Sequence, residues 1–195
     1  MSEMRLSMIT TKLSALAIIV SSFVLLIGCK SAHTAGVVGT ELAGTKGEFV
    51  VVVFTSVDCP IANAMAPQLR RTLESAESRG VRCLLVYPRR STTDPQRRQH
   101  KVDYQLPGRS LSDRAHNLVQ VLDARITPEA FVLKLDGAGG WEVLYRGRVN
   151  DLYASIGNRR DQPSRHDLMS AIDAALAGRF PVTRRTEAVG CLIER

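Results

Sequence analysis

The chain alternates short apolar runs with stretches of helical periodicity. Six consecutive β-branched or aromatic residues, Phe49–Phe54, are typical of a strand that is buried on both faces. The pattern changes to helical spacing over residues 61–79, which ends at Gly80, and the mostly apolar residues 81–87 indicate a second buried strand. A strand, a helix and a second strand in this order predict a βαβ unit with parallel strands.

Two further helices are predicted after this unit. Asp94 followed by Pro95 is typical of an N-cap and a first helical position, and this pair opens a polar helix over residues 94–104. Residues 113–123 place four apolar side chains on one helical stripe. These are Ala115, Leu118, Val119 and Leu122. The spacing predicts an amphipathic helix whose apolar face packs against the sheet.

A hairpin and a closing helix complete the predicted domain. The mostly apolar residues 130–135 and residues 141–145 are separated by an Asp-Gly turn at 136–137, which predicts an antiparallel pair of strands. A helical pattern follows over residues 166–177 and ends at Gly178. Strands and helices in this succession predict a single α/β domain.

The N-terminus has the layout of a bacterial signal sequence. Arg5 and Lys12 precede an uncharged run of 16 residues, 13–28, which is shorter than the ~20 residues of a membrane-spanning helix. The run ends in Leu-Ile-Gly before Cys29, which resembles the lipobox of bacterial lipoproteins. This resemblance implies cleavage before Cys29, lipidation of its thiol and, with Lys30 next, release to the outer membrane. An uncleaved membrane helix or an ordinary secretory signal is the alternative.

These patterns divide the chain into four segments. Residues 1–28 are the signal peptide, and residues 29–47, small and polar with four glycines, are expected to be a flexible tether. Residues 48–178 form the folded domain. Residues 179–195 are a C-terminal tail that carries Cys191.

The charge and the cysteine content further restrict the classes of function that this protein can have. The formal net charge is +7, but the basic residues are scattered, which indicates a solvated surface, and no nucleic-acid partner is expected. With Cys29 lipidated, Cys59, Cys83 and Cys191 remain in an oxidising compartment. Since three is odd, at least one thiol stays unpaired or pairs transiently. Cys83 lies inside a predicted strand, where a free cysteine commonly acts as an inert apolar residue.

Three features at fixed spacing resemble the thioredoxin superfamily. Cys59 lies in the first strand-to-helix turn, Pro67 follows it by eight residues, and Thr127-Pro128 precedes a buried strand. The resemblance implies a three-layer α/β fold, with a central mixed sheet flanked by helices. It also implies that Cys59 is an exposed nucleophile beside a cis-proline bond. Pro60, Thr127 and Pro128 would then contact the substrate chain.

A narrower resemblance is to peroxiredoxin-like redoxin-domain proteins of the AhpC/TSA type. It is carried by Ser56, by Cys59-Pro60 and by the terminal Val-Gly before Cys191. In thioredoxins a second cysteine, three residues after the nucleophile, resolves the mixed disulfide, but Ala62 occupies this position. The resolving thiol is therefore expected to be Cys191 or a thiol of a partner protein.

Three functions stay open at this point. The first is a lipid-anchored thiol-disulfide redoxin at the periplasmic face of the envelope, which uses Cys59 on thiol or disulfide proteins without a cofactor or a metal. The second is a slow thiol peroxidase in which Ser56 donates a hydrogen bond. The third is a non-catalytic metal- or protein-binding module of the envelope, with Cys59 and a histidine as ligands. His100, His116 and His166 lack the close spacing of a metal site and are expected at the surface.

Overall fold

A mixed sheet of five strands forms the middle layer of the domain. The computed structural model describes residues 35–194, so the predicted signal peptide and Cys29 lie outside the described residues. The strands are β1 (Phe49–Phe54), β2 (Arg82–Tyr87), β3 (Arg109–Ser112), β4 (Ile126–Thr127), β5 (Glu129–Leu135), β6 (Trp141–Gly147), β7 (Tyr153–Ser155), β8 (Asn158–Arg159) and β9 (Cys191–Leu192). The helices are α1 (Ala35–Glu41), α2 (Pro60–Glu77), α3 (Asp94–Asp103), α4 (Asn117–Leu122) and α5 (Asp167–Leu176).

The strand order of the central sheet is β3-β2-β1-β5-β6. β1 lies parallel to β2 and β2 parallel to β3, whereas β5 is antiparallel to β1 and β6 is antiparallel to β5. Val50 and the four residues after it in β1 are 0% exposed, because both faces of this strand are covered. The predicted βαβ unit and the predicted hairpin are both confirmed.

Two apolar cores lie on opposite faces of the sheet. On one face, side chains of α2 and α5 such as Leu73 and Leu168 pack with Val51 and Val53 of β1. On the other face, α4 packs with the alternate residues of β1, among them Val52. Because successive strand residues point to opposite faces, one apolar run fills both cores. The fold is a three-layer α/β arrangement with a central mixed sheet flanked by helices, as predicted.

Residues 29–47 are not a flexible tether throughout. Residues 35–41 form α1, and Val38 and Leu42 are buried in the same core as β1. These two side chains lie four residues apart, which places them on one side of a helical turn. The tether prediction is wrong for this stretch, because an apolar pair at helical spacing is hidden among small and polar residues.

The region before the hairpin also differs from its prediction. The polar helix α3 is present, but its N-cap is Thr93, which forms a capping box with Gln96, rather than Asp94. The helix predicted over residues 113–123 is wrong at its start, because His116 has a left-handed backbone with φ of 59° and α4 begins after it. The four residues before Asp113 form β3, an edge strand that has too few apolar residues to be recognised in the sequence.

Asp113 lies before α4, and its carboxylate accepts hydrogen bonds from N–H groups in the first turn of this helix. Its carboxylate is buried and accepts hydrogen bonds from the backbone N–H groups of Asn117 at 2.8 Å and Val119 at 2.9 Å. We expect Asp113→Ala to lower the free energy of unfolding by about 2 kcal/mol, because two N–H groups lose their acceptor. Urea unfolding of the full chain measures this loss. Asp161→Ala, at an exposed carboxylate, should change the value by less than ~0.5 kcal/mol, and an equal loss in both would contradict the prediction.

The C-terminal segment is hydrogen-bonded to the rest of the domain in two places. The backbone of Arg146 in β6 donates to the carbonyl of Arg184 at 2.9 Å and accepts from the N–H of Thr186 at 3.0 Å. Further along, β9 pairs antiparallel with β4, and the Ile193 side chain is buried in the core that contains α4. The tail is therefore docked onto the domain around residues 184–186 and 191–193. Within residues 35–194, none of the helices has the length and apolar character needed to cross a membrane.

Candidate functional site

Cys59 is the N-cap residue of α2. It has an extended backbone, and its sulfur accepts a hydrogen bond from the N–H of Ala62 at 3.4 Å. Pro60 occupies the first turn of the helix, where no backbone N–H is lost. The free N–H groups and the dipole at this end of a helix favour a negatively charged sulfur. The side chain is nevertheless only 1% exposed, so the expectation of an exposed cysteine is wrong.

Thr127 lies on the other side of the sulfur. The Cys59 thiol donates a hydrogen bond to the carbonyl oxygen of Thr127 at 3.0 Å. The peptide bond between Thr127 and Pro128 is cis, and Pro128 is buried directly after β4. The structure thus brings Cys59 together with the Thr127-Pro128 loop, 68 residues away in the sequence.

Cys191 reaches the site through the β9 strand. In the antiparallel pairing of β9 with β4, Cys191 stands opposite Thr127, and its side chain lines the same cavity as that of Cys59. Burial raises the pKa of the Cys191 thiol to about 12, and the neighbouring Cys59 side chain and the charge of Asp58 act in the same direction. Both cysteines are free thiols. Two thiols that the sequence separates by more than a hundred residues therefore meet at the head of α2.

Gly190 allows the last strand to approach this closely. A Cβ atom at this position would lie 2.0 Å from the carbonyl oxygen of Thr127 and 2.7 Å from its carbon. Such distances are far inside van der Waals contact, and a backbone carbonyl is not free to move aside as the end of a flexible side chain is. Glycine is thus required next to Cys191 for β9 to pair with β4 in the observed position.

A charged pair borders the two thiols. Ser56 donates a hydrogen bond to the Asp58 carboxylate at 2.6 Å, and Arg89 forms an ion pair with the same carboxylate. Partial burial acts to raise the pKa of Asp58, but the hydrogen bond from Ser56 and the charge of Arg89 outweigh it, so the pKa is lowered. Asp58 therefore remains ionised near neutral pH. The proton of the Ser56 hydroxyl is directed to this carboxylate.

Arg89 is a site residue that sequence reasoning missed. It follows β2 by two positions, and β2 lies beside β1 in parallel. Because the carboxyl ends of parallel neighbours meet at one edge of a sheet, the residues after β2 must lie beside the turn that holds Cys59. Its position after β2 could have predicted a place near Cys59, but one arginine among the many basic residues of this protein does not by itself indicate a site.

A small cavity of about 60 Å³ lies between these groups. It has room for about two water molecules, too little for a substrate while β9 is in place. Its lining consists of the site residues already described together with Pro88 and the last residues of the described chain: Ser56, Asp58, Cys59, Pro88, Arg89, Thr127, Cys191, Leu192, Ile193 and Glu194. The C-terminal strand is therefore the lid of this cavity.

Cys83 lies apart from the site. It pairs with Val51 inside the sheet and is 1% exposed. Burial raises the pKa of its thiol to about 12, with the charge of Glu77 acting in the same direction. A buried thiol that holds its proton so firmly is a poor nucleophile. The prediction that Cys83 lies inside a strand is confirmed.

The histidines differ from their predicted surface positions. His166 is exposed, but His100 and His116 are buried. The His116 ring donates a hydrogen bond to the carbonyl of Pro88 at 2.9 Å, and the His100 ring bonds to Asn63 in the first turn of α2. Each buried histidine thus holds a segment next to the cavity. Among residues 35–194, no three His, Cys, Asp or Glu side chains are grouped as a metal site would require.

Comparisons with solved structures agree with this architecture. An uncharacterized conserved protein from Geobacillus kaustophilus is 19% identical over 77% of this chain and 79% of its own, with a TM-score of 0.67. A hypothetical protein from Sinorhizobium meliloti 1021 is 21% identical over 76% of this chain and 80% of its own, with a TM-score of 0.65. A candidate thioredoxin from Neisseria meningitidis is 20% identical over 68% and 77%, with a TM-score of 0.50.

Comparisons of the sequence itself found no match. No protein-family model matches the chain, and neither does any curated protein. At these levels of identity, the solved structures establish the fold and leave the chemistry to be argued from the site. The chain has a thioredoxin-like α/β fold, with Cys59, Thr127 and Cys191 in contact at the carboxyl end of β1.

Proposed function

We propose that this protein is a thiol-disulfide oxidoreductase in which Cys59 is the nucleophile and Cys191 the resolving thiol. The observation that carries this proposal is that both thiols line one cavity at the N-terminus of α2, where Thr127 bonds to Cys59 and stands opposite Cys191 in the β4–β9 pairing. The thioredoxin-like fold supports it. A helix N-terminus stabilises the thiolate that attacks a disulfide, and a second thiol in contact with it can complete the exchange.

The reaction divides into two exchanges. In the first, the Cys59 thiolate attacks one sulfur of a substrate disulfide, a mixed disulfide with Cys59 forms, and the other substrate sulfur leaves as a thiolate. In the second, Cys191 gives up its proton and attacks the Cys59 sulfur, which releases the second substrate thiol. Two electrons have then passed to the substrate, and the protein holds a Cys59–Cys191 disulfide. An external dithiol restores the reduced pair, and the same steps in reverse oxidise a dithiol substrate.

Protein substrates would meet the site along β4. The Thr127 carbonyl accepts the hydrogen bond of the Cys59 thiol, Pro128 follows through a cis bond, and Pro60 is exposed at the start of α2. The edge of β4 is occupied by β9 while the tail is docked. Exchange with a protein disulfide therefore requires the last residues to move away from Cys59 and then to return for the resolving step.

A titration with glutathione tests the proposal. The full chain is equilibrated with mixtures of reduced and oxidised glutathione, quenched with acid and mapped by non-reducing mass spectrometry. We expect one intramolecular disulfide, Cys59–Cys191, with Cys83 reduced throughout. Detection of disulfide-linked dimers alone, or of a Cys59 sulfinic acid without any Cys191 linkage, would contradict the assignment of Cys191.

The peroxidase alternative has less support. It requires a donor that orients the peroxide beside the nucleophile, and Ser56 was the candidate. The Ser56 hydroxyl instead donates to Asp58, and the Asp58 carboxylate near Cys59 would oppose the negative charge that develops on a departing peroxide oxygen. Ser56 is therefore proposed to position Asp58. The resemblance to AhpC/TSA-type proteins therefore rests on short sequence motifs.

The proposal includes a place in the cell. The lipobox-like ending before Cys29 and the charged start of the chain support an envelope lipoprotein that faces the periplasm and acts on thiol or disulfide proteins there. We expect Cys29→Ala to move the protein from the membrane fraction to the soluble fraction, because the lipid is its anchor. Fractionation and blotting measure this. A variant that stays in the membrane fraction would show that residues 13–28 anchor the chain as a helix.

A further inference from the structure

A series of hydrogen bonds, buried at its Tyr87–His100 end, links β2 to the turn that holds Cys59. The Tyr87 hydroxyl lies 2.9 Å from Nδ1 of His100, and Nε2 of His100 lies 2.9 Å from Oδ1 of Asn63. The Asn63 amide nitrogen donates to the carbonyl of Val57 at 3.0 Å. These hydrogen bonds therefore connect the end of β2, through His100 of α3 and Asn63 of α2, to Val57, two positions before Cys59.

The direction of these bonds follows from the fixed groups at their ends. The Val57 carbonyl can only accept, so Asn63 presents its NH₂ group there and its oxygen to His100. His100 must then carry its proton on Nε2, which leaves Nδ1 as an acceptor for the Tyr87 hydroxyl. Only a neutral His100 ring with its proton on Nε2 gives each of these donors an acceptor.

We propose that His100 is a positioning residue for Cys59: its neutral ring, held by Tyr87, fixes Asn63 so that this side chain clamps the turn before Cys59. The inference rests on the proposed function, since it concerns the reactivity of the same sulfur. It also accounts for a buried histidine that the exchange steps leave without a role.

Asn63 is tied to the Cys59 turn at two points. Its backbone N–H donates to the carbonyl of Cys59 at 3.0 Å, and its side chain holds the carbonyl of Val57. A rotation of the Asn63 side chain would release Val57 and let the turn shift. The attack of Cys191 on Cys59 requires close alignment of the two sulfurs, and a displacement of about 1 Å can slow such a step by ~10²-fold. Loss of the clamp should therefore slow closure of the disulfide.

Acid should release the same clamp. Protonation of Nδ1 would leave the buried Tyr87 hydroxyl proton without its acceptor. The other groups that face this pair are Tyr104 and Asp103 on the helix of His100 and Arg97 near Tyr87. Burial lowers the pKa of His100, with Asp103 acting in the opposite direction, so the clamp is intact at neutral pH and opens as pH falls below the usual histidine range of about 6.5.

The test compares His100→Phe with the wild type and with His166→Phe, which changes an exposed histidine. Closure of the Cys59–Cys191 disulfide by excess oxidised glutathione is followed by mass spectrometry between pH 5 and pH 8 in the full chain. Alkylation of Cys59 by iodoacetamide in the reduced protein is a second readout. Circular dichroism establishes that each variant is folded at each pH.

We expect closure in His100→Phe to be at least ~10-fold slower than in the wild type at pH 7.5, with His166→Phe unchanged. In the wild type, closure should slow further as pH falls through the lowered pKa of His100, and this additional loss should be missing from His100→Phe. Asn63→Asp, which keeps an oxygen for His100 but cannot donate to Val57, should reproduce the slow closure. It also serves as the second variant if His100→Phe does not fold.

The outcomes separate the two proposals. Wild-type closure rates and an unchanged pH profile in folded His100→Phe, or in Asn63→Asp, would overturn the positioning role. If the wild type itself never forms the Cys59–Cys191 disulfide, the proposed function fails. The alkylation rate of Cys59 and its pH profile then still decide whether His100 controls the reactivity of this sulfur.

Discussion

Cys59→Ser is expected to reduce thiol-disulfide exchange with oxidised glutathione by at least ~10³-fold, because the group that forms the mixed disulfide is removed. Cys191 cannot replace it efficiently. Burial contributes to the raised pKa of the Cys191 thiol, so little thiolate is present at neutral pH. The measurement is the rate at which the full chain releases reduced glutathione at pH 7.5.

Cys191→Ser should separate the two exchanges. Cys59 retains its place at the N-terminus of α2, so a mixed disulfide with glutathione still forms, but it accumulates because the resolving thiol is absent. Intact mass should show one glutathione adduct per chain, mapped to Cys59. Cys83→Ser is the matched control and should behave as the wild type, since Cys83 lies inside the sheet. Normal turnover by Cys191→Ser would show that resolution comes from another thiol.

Much of the fold follows from short-range patterns. Phe49–Phe54 could be assigned because a run of apolar β-branched residues has few other solutions, and α2 could be assigned from its periodicity and the glycine after it. The place of Cys59 between these two elements then follows directly. β3 was missed because its four residues contain a single buried side chain.

The parts of the site that the sequence does not show depend on distant contacts. Pairing of β9 with β4 brings together residues 64 positions apart, and a two-residue strand has no periodicity of its own. Sequence reasoning placed Cys191 within reach of Cys59 but left Cys59 exposed, since nothing local indicates that the tail covers it. The burial of His100 likewise depends on Tyr87 and Asn63, which belong to two other elements.

Gly190→Ala should have opposite effects on two measurable rates. The added Cβ would fall 2.0 Å from the carbonyl oxygen of Thr127, so β9 cannot remain paired with β4 and Cys191 moves away from Cys59. Closure of the Cys59–Cys191 disulfide should then fall by about 100-fold, because the two sulfurs lose their alignment. Alkylation of Cys59 by iodoacetamide should become faster, because the strand that covers this sulfur is displaced.

Slower disulfide closure together with faster alkylation of Cys59 would show that β9 both covers Cys59 and carries its resolving thiol. A general loss of stability would speed alkylation of the buried Cys83 as well, whereas displacement of β9 alone leaves Cys83 inside the sheet. Gly39→Ala is the matched control, because a Cβ there meets no atom within 4 Å and both rates should stay at wild-type values. If Gly190→Ala closed its disulfide at the wild-type rate, Cys191 would not need the β9 pairing to reach Cys59, and the covering strand would have no part in the exchange.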